Sequence, residues 1–355
     1  MQSVIACFQL DGLPLSCEPF GSGHINRTYL VATGAPHLYI LQQINHRVFQ
    51  NVPALMENIR AVTQYLAQKD PDPRHVLTLV PTADGRCYTQ DAEGNYWRMY
   101  EYVTGGLCLN RAETPEEFAQ SAVAFGRFQT MLADFPAATL HETIARFHDT
   151  PNRYRTLHAA ADENVAERRA GVEKELAFFY AREGESTALT GLLAAGELPL
   201  RVTHNDTKLN NVILDETTHE ALCVIDLDTV MPGLVAYDFG DSIRFGASTA
   251  AEDEKDTTRV RLSMPMYEAY VKGFLSVCGA SLTARETETL PVGAKMMTLE
   301  NGVRFLTDYL QGDPYYAISR PEHNLDRCRT QIALVADMEK KWAEMNAVIR
   351  RYAVH

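Results

Sequence analysis

The sequence predicts an α+β fold in two unequal lobes, and three observations predict it. The first hundred or so residues alternate short β-forming runs with glycine-marked turns. Beyond residue 104 the apolar spacing is mostly helical. One stretch of that second part, 198–228, breaks the helical pattern with short strand-like runs around strongly polar loops. A chain of 355 residues is long for a single core, so two lobes are expected. The division falls at a hinge near residue 103: a small β-rich N-lobe, 1–103, and a larger, mainly helical C-lobe, 104–355.

The elements follow in order. Residues 16–20, 26–32 and 38–44 are short, rich in β-formers and separated by glycine. A helix then begins near Pro53, which suits a first-turn position, and Leu55, Ile59, Val62 and Leu66 recur on one face. Strands are expected at 76–80, 87–89 and 96–103, the last entered by the turn 91–95. Thr114-Pro115 with Glu117 reads as a capping box opening a helix that runs to about Leu132. In the β island, 211–214 and 222–226 read as an antiparallel hairpin. The expected register places Leu214 near Cys223 and Asn211 beside Asp226.

Composition narrows the function. Hydrophobic residues make up 46% and charged residues 22%, ordinary for a globular protein. A net charge of −13 argues against duplex nucleic acid as a partner, yet leaves room for a phosphate ligand held by local cations or a metal. The seven cysteines form no Cys-x-x-Cys pair, which speaks against zinc and for reduced thiols in a cytoplasmic setting. The first residues, MQSVIACFQLDG, lack a basic leader, and no apolar run approaches a membrane span, so no membrane partner is expected. Oligomeric state is not legible.

The most informative segment is 203–211, THNDTKLNN, set between two apolar runs. In the expected hairpin an amide oxygen from Asn211 and a carboxylate from Asp226 sit side by side, with Asp206 facing the same point. Hard oxygen ligands of this kind, completed by phosphate oxygens, suit Mg²⁺. His204, Asp206 and Asn211 together make H-x-D-x-x-x-x-N, followed by Asp226.

That pattern resembles the catalytic loop of the protein-kinase-like fold, in the form found in aminoglycoside and choline kinases. The resemblance implies ATP and Mg²⁺ as cofactors, Asp206 as catalytic base, Asn211 and Asp226 as metal ligands and His204 as a brace. Lys208 either touches the γ-phosphate or is solvated. In the small lobe, Gly21, Gly23 and Asn26 mark a turn that lets the backbone approach phosphates. The hinge residues Glu101 and Val103 present a carbonyl and an amide to adenine, or simply end a buried strand. The lysine or arginine usual on the third strand is absent: Gln42 stands there and carries no charge. Glu57, on the first helix, is the candidate partner for such a cation or one more solvated acid.

Further segments resemble the N-acetylhexosamine 1-kinase branch of that superfamily: VIDLDTVMPG at 224–233, YDFGDSIR at 237–244, TLENGVRFLTDYLQGDPY at 298–315, PEHNL at 321–325, and LQQIN at 41–45, where the lysine is missing. The branch implies transfer of the ATP γ-phosphoryl to the anomeric hydroxyl of N-acetylglucosamine or N-acetylgalactosamine. Asp206, Asp228, Arg304 and Tyr315 are then the candidate sugar contacts. For Arg304 and Tyr315 the competing reading is a helix-pairing ion and a packing residue. The alternatives are a related phosphotransferase acting on an aminoglycoside, choline or homoserine, and a non-catalytic nucleotide-binding pseudokinase.

Overall fold

A computed structural model describes residues 1–21 and 25–353. Gly23 lies outside the described residues. The amino-terminal part is a five-stranded antiparallel sheet in the order β1-β2-β3-β5-β4. Its strands are β1 (Pro14–Pro19), β2 (Arg27–Thr33), β3 (Leu38–Ile44), β4 (Thr89–Gln90) and β5 (Tyr96–Glu101). A short helix, α1 (Gln2–Ile5), precedes it and α2 (Val52–Lys69) is inserted after β3. The Asn51 side chain caps α2 by accepting the Ala54 amide at 3.2 Å. Leu55, Ile59, Val62 and Leu66 are all buried, as the spacing predicts.

Two expected strands are smaller than predicted. Residues 76–80 contribute only an isolated bridge, Leu79 to Tyr100, because the next amide that could extend the ladder, that of Thr82, donates to the Arg86 carbonyl at 2.7 Å instead. The strand expected at 87–89 is the two-residue β4. β5 stops at Glu101 rather than Val103, since its partner β3 begins at Leu38 and offers nothing to pair beyond it.

The carboxy-terminal part contains α3 (Pro115–Met131), α4 (Thr150–Glu163), α5 (Glu173–Tyr180), α6 (Ala188–Ala194), α7 (Val235–Gly246), α8 (Met264–Cys278), α9 (Ala284–Leu310), α10 (His323–Lys340) and α11 (Trp342–Tyr352). Thr114 caps α3 as predicted, although Glu117 reaches the Glu113 amide, at 2.7 Å, instead of the Thr114 amide. The helices α7 and α9 touch backbone to backbone. A Cβ on Gly240 would overlap the Gly293 carbonyl, and one on Gly293 the Ala236 carbonyl. This contact fixes α7, whose first turns carry the site described below. No described helix is long and apolar enough to cross a membrane.

Among the helices lie two small sheets. β7 (Arg201–Thr203) pairs with β10 (Met231–Gly233), and β8 (Val212–Asp215) lies between β6 (Gly106–Cys108) and β9 (Ala221–Val224). Asn58 of α2 joins the two parts. It is buried and donates to the carbonyls of His141 and Val230 at 2.8 and 3.0 Å.

Candidate active site

The polar loop between β7 and β8 owes its shape to Asp238, in the first turn of α7. That carboxylate accepts the amides of His204 (2.9 Å) and Asn205 (2.8 Å) and the Gln129 side chain (2.8 Å). Burial pushes the Asp238 carboxyl up, against these three donors, which favour its charge. Thr207 extends the same attachment, its hydroxyl donating to the Asp238 carbonyl at 2.6 Å and its amide to Asp241 at 3.1 Å. His204 is fully buried between Phe125 and Phe128. Its Nε2 donates to the Ile225 carbonyl at 2.9 Å and its Nδ1 accepts the Asp206 amide at 3.3 Å. One neutral tautomer satisfies both bonds, so the ring acts as a spacer between the loop and the β8–β9 hairpin.

Asp206 emerges from this frame partly exposed and in contact with Lys208, whose Nζ is 2.8 Å away. Burial raises the Asp206 carboxyl, but the Lys208 ammonium and the donors around it together outweigh burial and hold the group below its usual value. Asp206 is therefore ionised at neutral pH and able to accept a proton. The Asn211 side-chain amide donates to the Asp206 carbonyl (2.8 Å) and carboxylate (3.1 Å), which leaves its Oδ1 turned away from that contact.

The hairpin forms in a register one residue away from the expected one. Ile213 pairs with Cys223, and the Ile225 amide donates to the Asn211 carbonyl at 2.9 Å, so Ile225 rather than Asp226 is opposite Asn211. A bulge after Ile213 absorbs the odd residue of the turn. Asp226 comes back to the site by a left-handed turn, φ 59°. It is exposed on its cleft side and forms no hydrogen bond or ion pair among the described residues. Crowding by protein and by the carboxylates of Asp228 and Asp206 pushes it up to about 7, while water in the cleft screens part of that repulsion. A carboxylate that its neighbours repel and no donor satisfies fits a divalent cation. Among the described residues no three His, Cys, Asp or Glu side chains form a ready metal cluster. Asn211 and Asp226 thus offer a partial shell, one that phosphate oxygens would complete.

The sheet contributes a buried charge that sequence reasoning did not single out. Gly21 adopts φ 75° in the β1–β2 turn and is exposed. Asn26 accepts the Asn45 amide at 3.0 Å and donates to Asp228 at 2.6 Å. Asp228 is buried, and its other oxygen takes the guanidinium of Arg98. Gln42 donates to Thr28 (3.1 Å) and accepts from Arg98 Nε (2.9 Å). Glu57 faces away, bonded to His141 at 2.7 Å. In the hinge, the Glu101 amide is taken by the Thr78 carbonyl at 2.9 Å, and Val103 is buried. Sequence reasoning passed over Arg98. Its signal was an arginine inside YWRMYE, a strand that is otherwise mostly apolar and aromatic.

Arg304 and Tyr315 meet in a second cluster of the C-lobe. The Arg304 guanidinium is 5.4 to 5.8 Å from the ring centres of Phe147, Tyr315 and Tyr316. No carboxylate pairs with it among the described residues. Arg153, His148 and Glu300 surround it, and sequence reasoning named none of them. His148 Nδ1 contacts Glu300 at 2.8 Å. Three buried atoms here have no partner among the described residues: His148 Nε2, Arg153 Nε and the Tyr316 hydroxyl. Charge links this cluster to the Asp206 loop: Glu252 acts on Tyr316, Lys208 acts on Glu252, and Lys208 contacts Asp206. Tyr315 itself is largely exposed, with its amide held by Asp308 at 2.8 Å.

Comparison with known proteins agrees with this layout. The solved structures similar to the chain include a microcompartment-associated aminopropanol kinase, with a TM-score of 0.61 at 18% identity over 97% of each chain. An aminoglycoside phosphotransferase from Alicyclobacillus acidocaldarius has a TM-score of 0.62 at 16% identity, over 99% of this chain and 95% of its own. The amicoumacin kinase hAmiN has a TM-score of 0.60 at 14% identity, over 93% and 91%. At such identities the likeness establishes a shared two-lobed kinase-like fold. The sequence profile of the phosphotransferase enzyme family matches residues 16–270, most of the chain. With its fold and the H-x-D-x-x-x-x-N loop both in place, the protein is a member of the phosphotransferase enzyme family.

Proposed function

We propose that the chain is an ATP- and Mg²⁺-dependent kinase that phosphorylates a hydroxyl group of a small molecule. The observation that carries this is Asp206: an ionised carboxylate on a fully braced loop, beside an Asn211–Asp226 pair that fits a cation. Asp206 would orient the acceptor hydroxyl and take its proton as the new O–P bond forms and the bond from the γ-phosphorus to the bridging oxygen breaks. Asn211 and Asp226 would hold Mg²⁺, whose part is to neutralise phosphate charge. The intact base and metal ligands speak against a pseudokinase.

For the acceptor, the names of the similar structures favour the alternative class over an N-acetylhexosamine. Aminopropanol kinase and aminoglycoside phosphotransferase are named for hydroxyl-bearing amines. One feature of this chain supports the hexosamine as a second reading. Arg304 has no carboxylate partner and stands among buried atoms without partners, a setting that suits neutral, oxygen-rich groups and repels a cation. Arg304 and Tyr315 would then contact the sugar; Asp228, clamped by Arg98 and Asn26, would reach it only after release.

The test is a phosphate-transfer screen with ATP and Mg²⁺ over aminopropanol, choline, homoserine, aminoglycosides, N-acetylglucosamine, N-acetylgalactosamine and free hexoses. Turnover confined to the amines retires the hexosamine reading, and turnover confined to N-acetylhexosamines retires the amine reading. A chain that neither binds ATP nor phosphorylates any of them is not a kinase of this kind.

A further inference from the structure

The third strand carries no cation, yet the sheet has one directly beside the vacant position. In the antiparallel β3–β5 pair Gln42 lies opposite Arg98, and residues so paired project on the same face. Arg98 is wholly buried. Its Nε donates to Gln42 at 2.9 Å and its Nη1 to Asp228. Its remaining nitrogen, Nη2, is buried with no partner among the described residues, and the hydroxyl of Tyr100 is in the same condition. The guanidinium carbon is 5.3 Å from the centre of the Tyr100 ring, and both groups feel the charge of Asp226 as well as Asp228. A charged donor left unpaired in the interior is costly, and here its guanidinium is bonded to Asp228, two residues from the candidate metal ligand Asp226.

We propose that Arg98 is the phosphate-binding cation of the small lobe, acting from β5 in place of a lysine on β3. This rests on the kinase reading of the same site. The ligand is the polyphosphate of the nucleotide, which presents several oxygens to a guanidinium that has one terminal nitrogen free. Gln42 is the positioning residue: its side-chain carbonyl holds Nε and so aims the fork. Asp228 takes the place of the missing carboxylate partner, since Glu57 is bonded to His141. The pair also spans the two lobes, linking β5 to the segment after β9.

The experiment compares binding of ADP and of adenosine by calorimetry, with Mg²⁺ and with EDTA. It uses the wild type, Arg98→Met, Arg98→Gln and the double variant Arg98→Met/Gln42→Lys. In the single variants ADP affinity falls about tenfold or more in both conditions while adenosine affinity stays within about threefold. The double variant, with its cation moved to β3, regains most of the ADP affinity. A folded Arg98→Gln that binds ADP as wild type does, or that loses ADP and adenosine alike, overturns the proposal. A readout that no folding defect touches comes from the wild type: the Arg98 side-chain NMR signals shift on adding ADP and stay in place with adenosine. An Arg98 signal indifferent to ADP also overturns it. Wild-type protein with no affinity for ADP overturns the kinase reading instead.

Discussion

At the scale of single residues, the site separates two carboxylates by their surroundings. Asp206 is held below its usual value with Lys208 beside it, whereas Asp226 is pushed up to about 7 by the protein crowding it and by like charge. The proposed base and the proposed metal ligand thus sit in different electrostatic settings. Asp206→Asn is expected to lower turnover by about a hundredfold or more, in the range for loss of a general base, with nucleotide affinity unchanged by calorimetry. For Asp226 the sign runs toward instability at high pH. Its folded value lies above the unfolded one, so the folded chain keeps a proton that the unfolded chain has lost. Stability then falls as pH rises from about 4 to about 7. Without metal, Asp226→Asn should therefore melt higher than wild type at pH 8, with the difference closing by pH 5. The same variant should lose Mg²⁺-dependent nucleotide binding. Melting curves across pH and titrations with and without Mg²⁺ check both.

Among elements, the joint between the 203–211 loop and α7 decides whether Asp206, the proposed base, is in place. Asp238 satisfies three buried donors, at His204, Asn205 and Gln129. Asp238→Ala leaves all three without an acceptor, an expected loss of about 3 kcal/mol or more. Asp238→Asn keeps one acceptor oxygen and should lose less. Chemical denaturation measures the difference, and turnover should follow the same order. The elements also show what periodicity can reveal. The strand at 38–44 and the buried stripe of α2 were legible because their partners are local or the pattern is long. The strand expected at 76–80 was apolar, but a strand needs a continuous neighbour, and only 78–80 reaches β5. The hairpin register was off by one residue because a bulge leaves no mark in the alternation of apolar residues.

For the whole molecule, the lobes meet through an apolar core, in which Leu55, Ile59 and Val62 of α2 cluster with Phe128, Val202 and Val230, and through polar ties that include Asn58 to His141 and Val230, and Asp228 to Asn26 and Arg98. A nucleotide seated between the lobes adds its own binding energy to the folded state. With MgATP at about a hundred times its dissociation constant, stabilisation of about 2.7 kcal/mol is expected. It should appear as a raised melting temperature that EDTA largely removes. A melting point unmoved by MgATP would contradict a nucleotide site at this cleft.

By itself the sequence determined the two-part α+β layout and the polar loop with its Asp206, Asn211 and Asp226. Those features lie in local composition and short spacing, where propensity and motif are strongest. Only the tertiary structure decided where Arg98 stands. Strand pairing brings it beside Gln42, 56 residues away in the chain, and no local pattern encodes such a neighbour. The same holds for the cluster of Arg304 with Phe147, Arg153 and Tyr316, assembled from α4, α9 and the segments beside them. Charge in a site is a sum over neighbours in space, and that sum is settled by packing rather than by order along the chain.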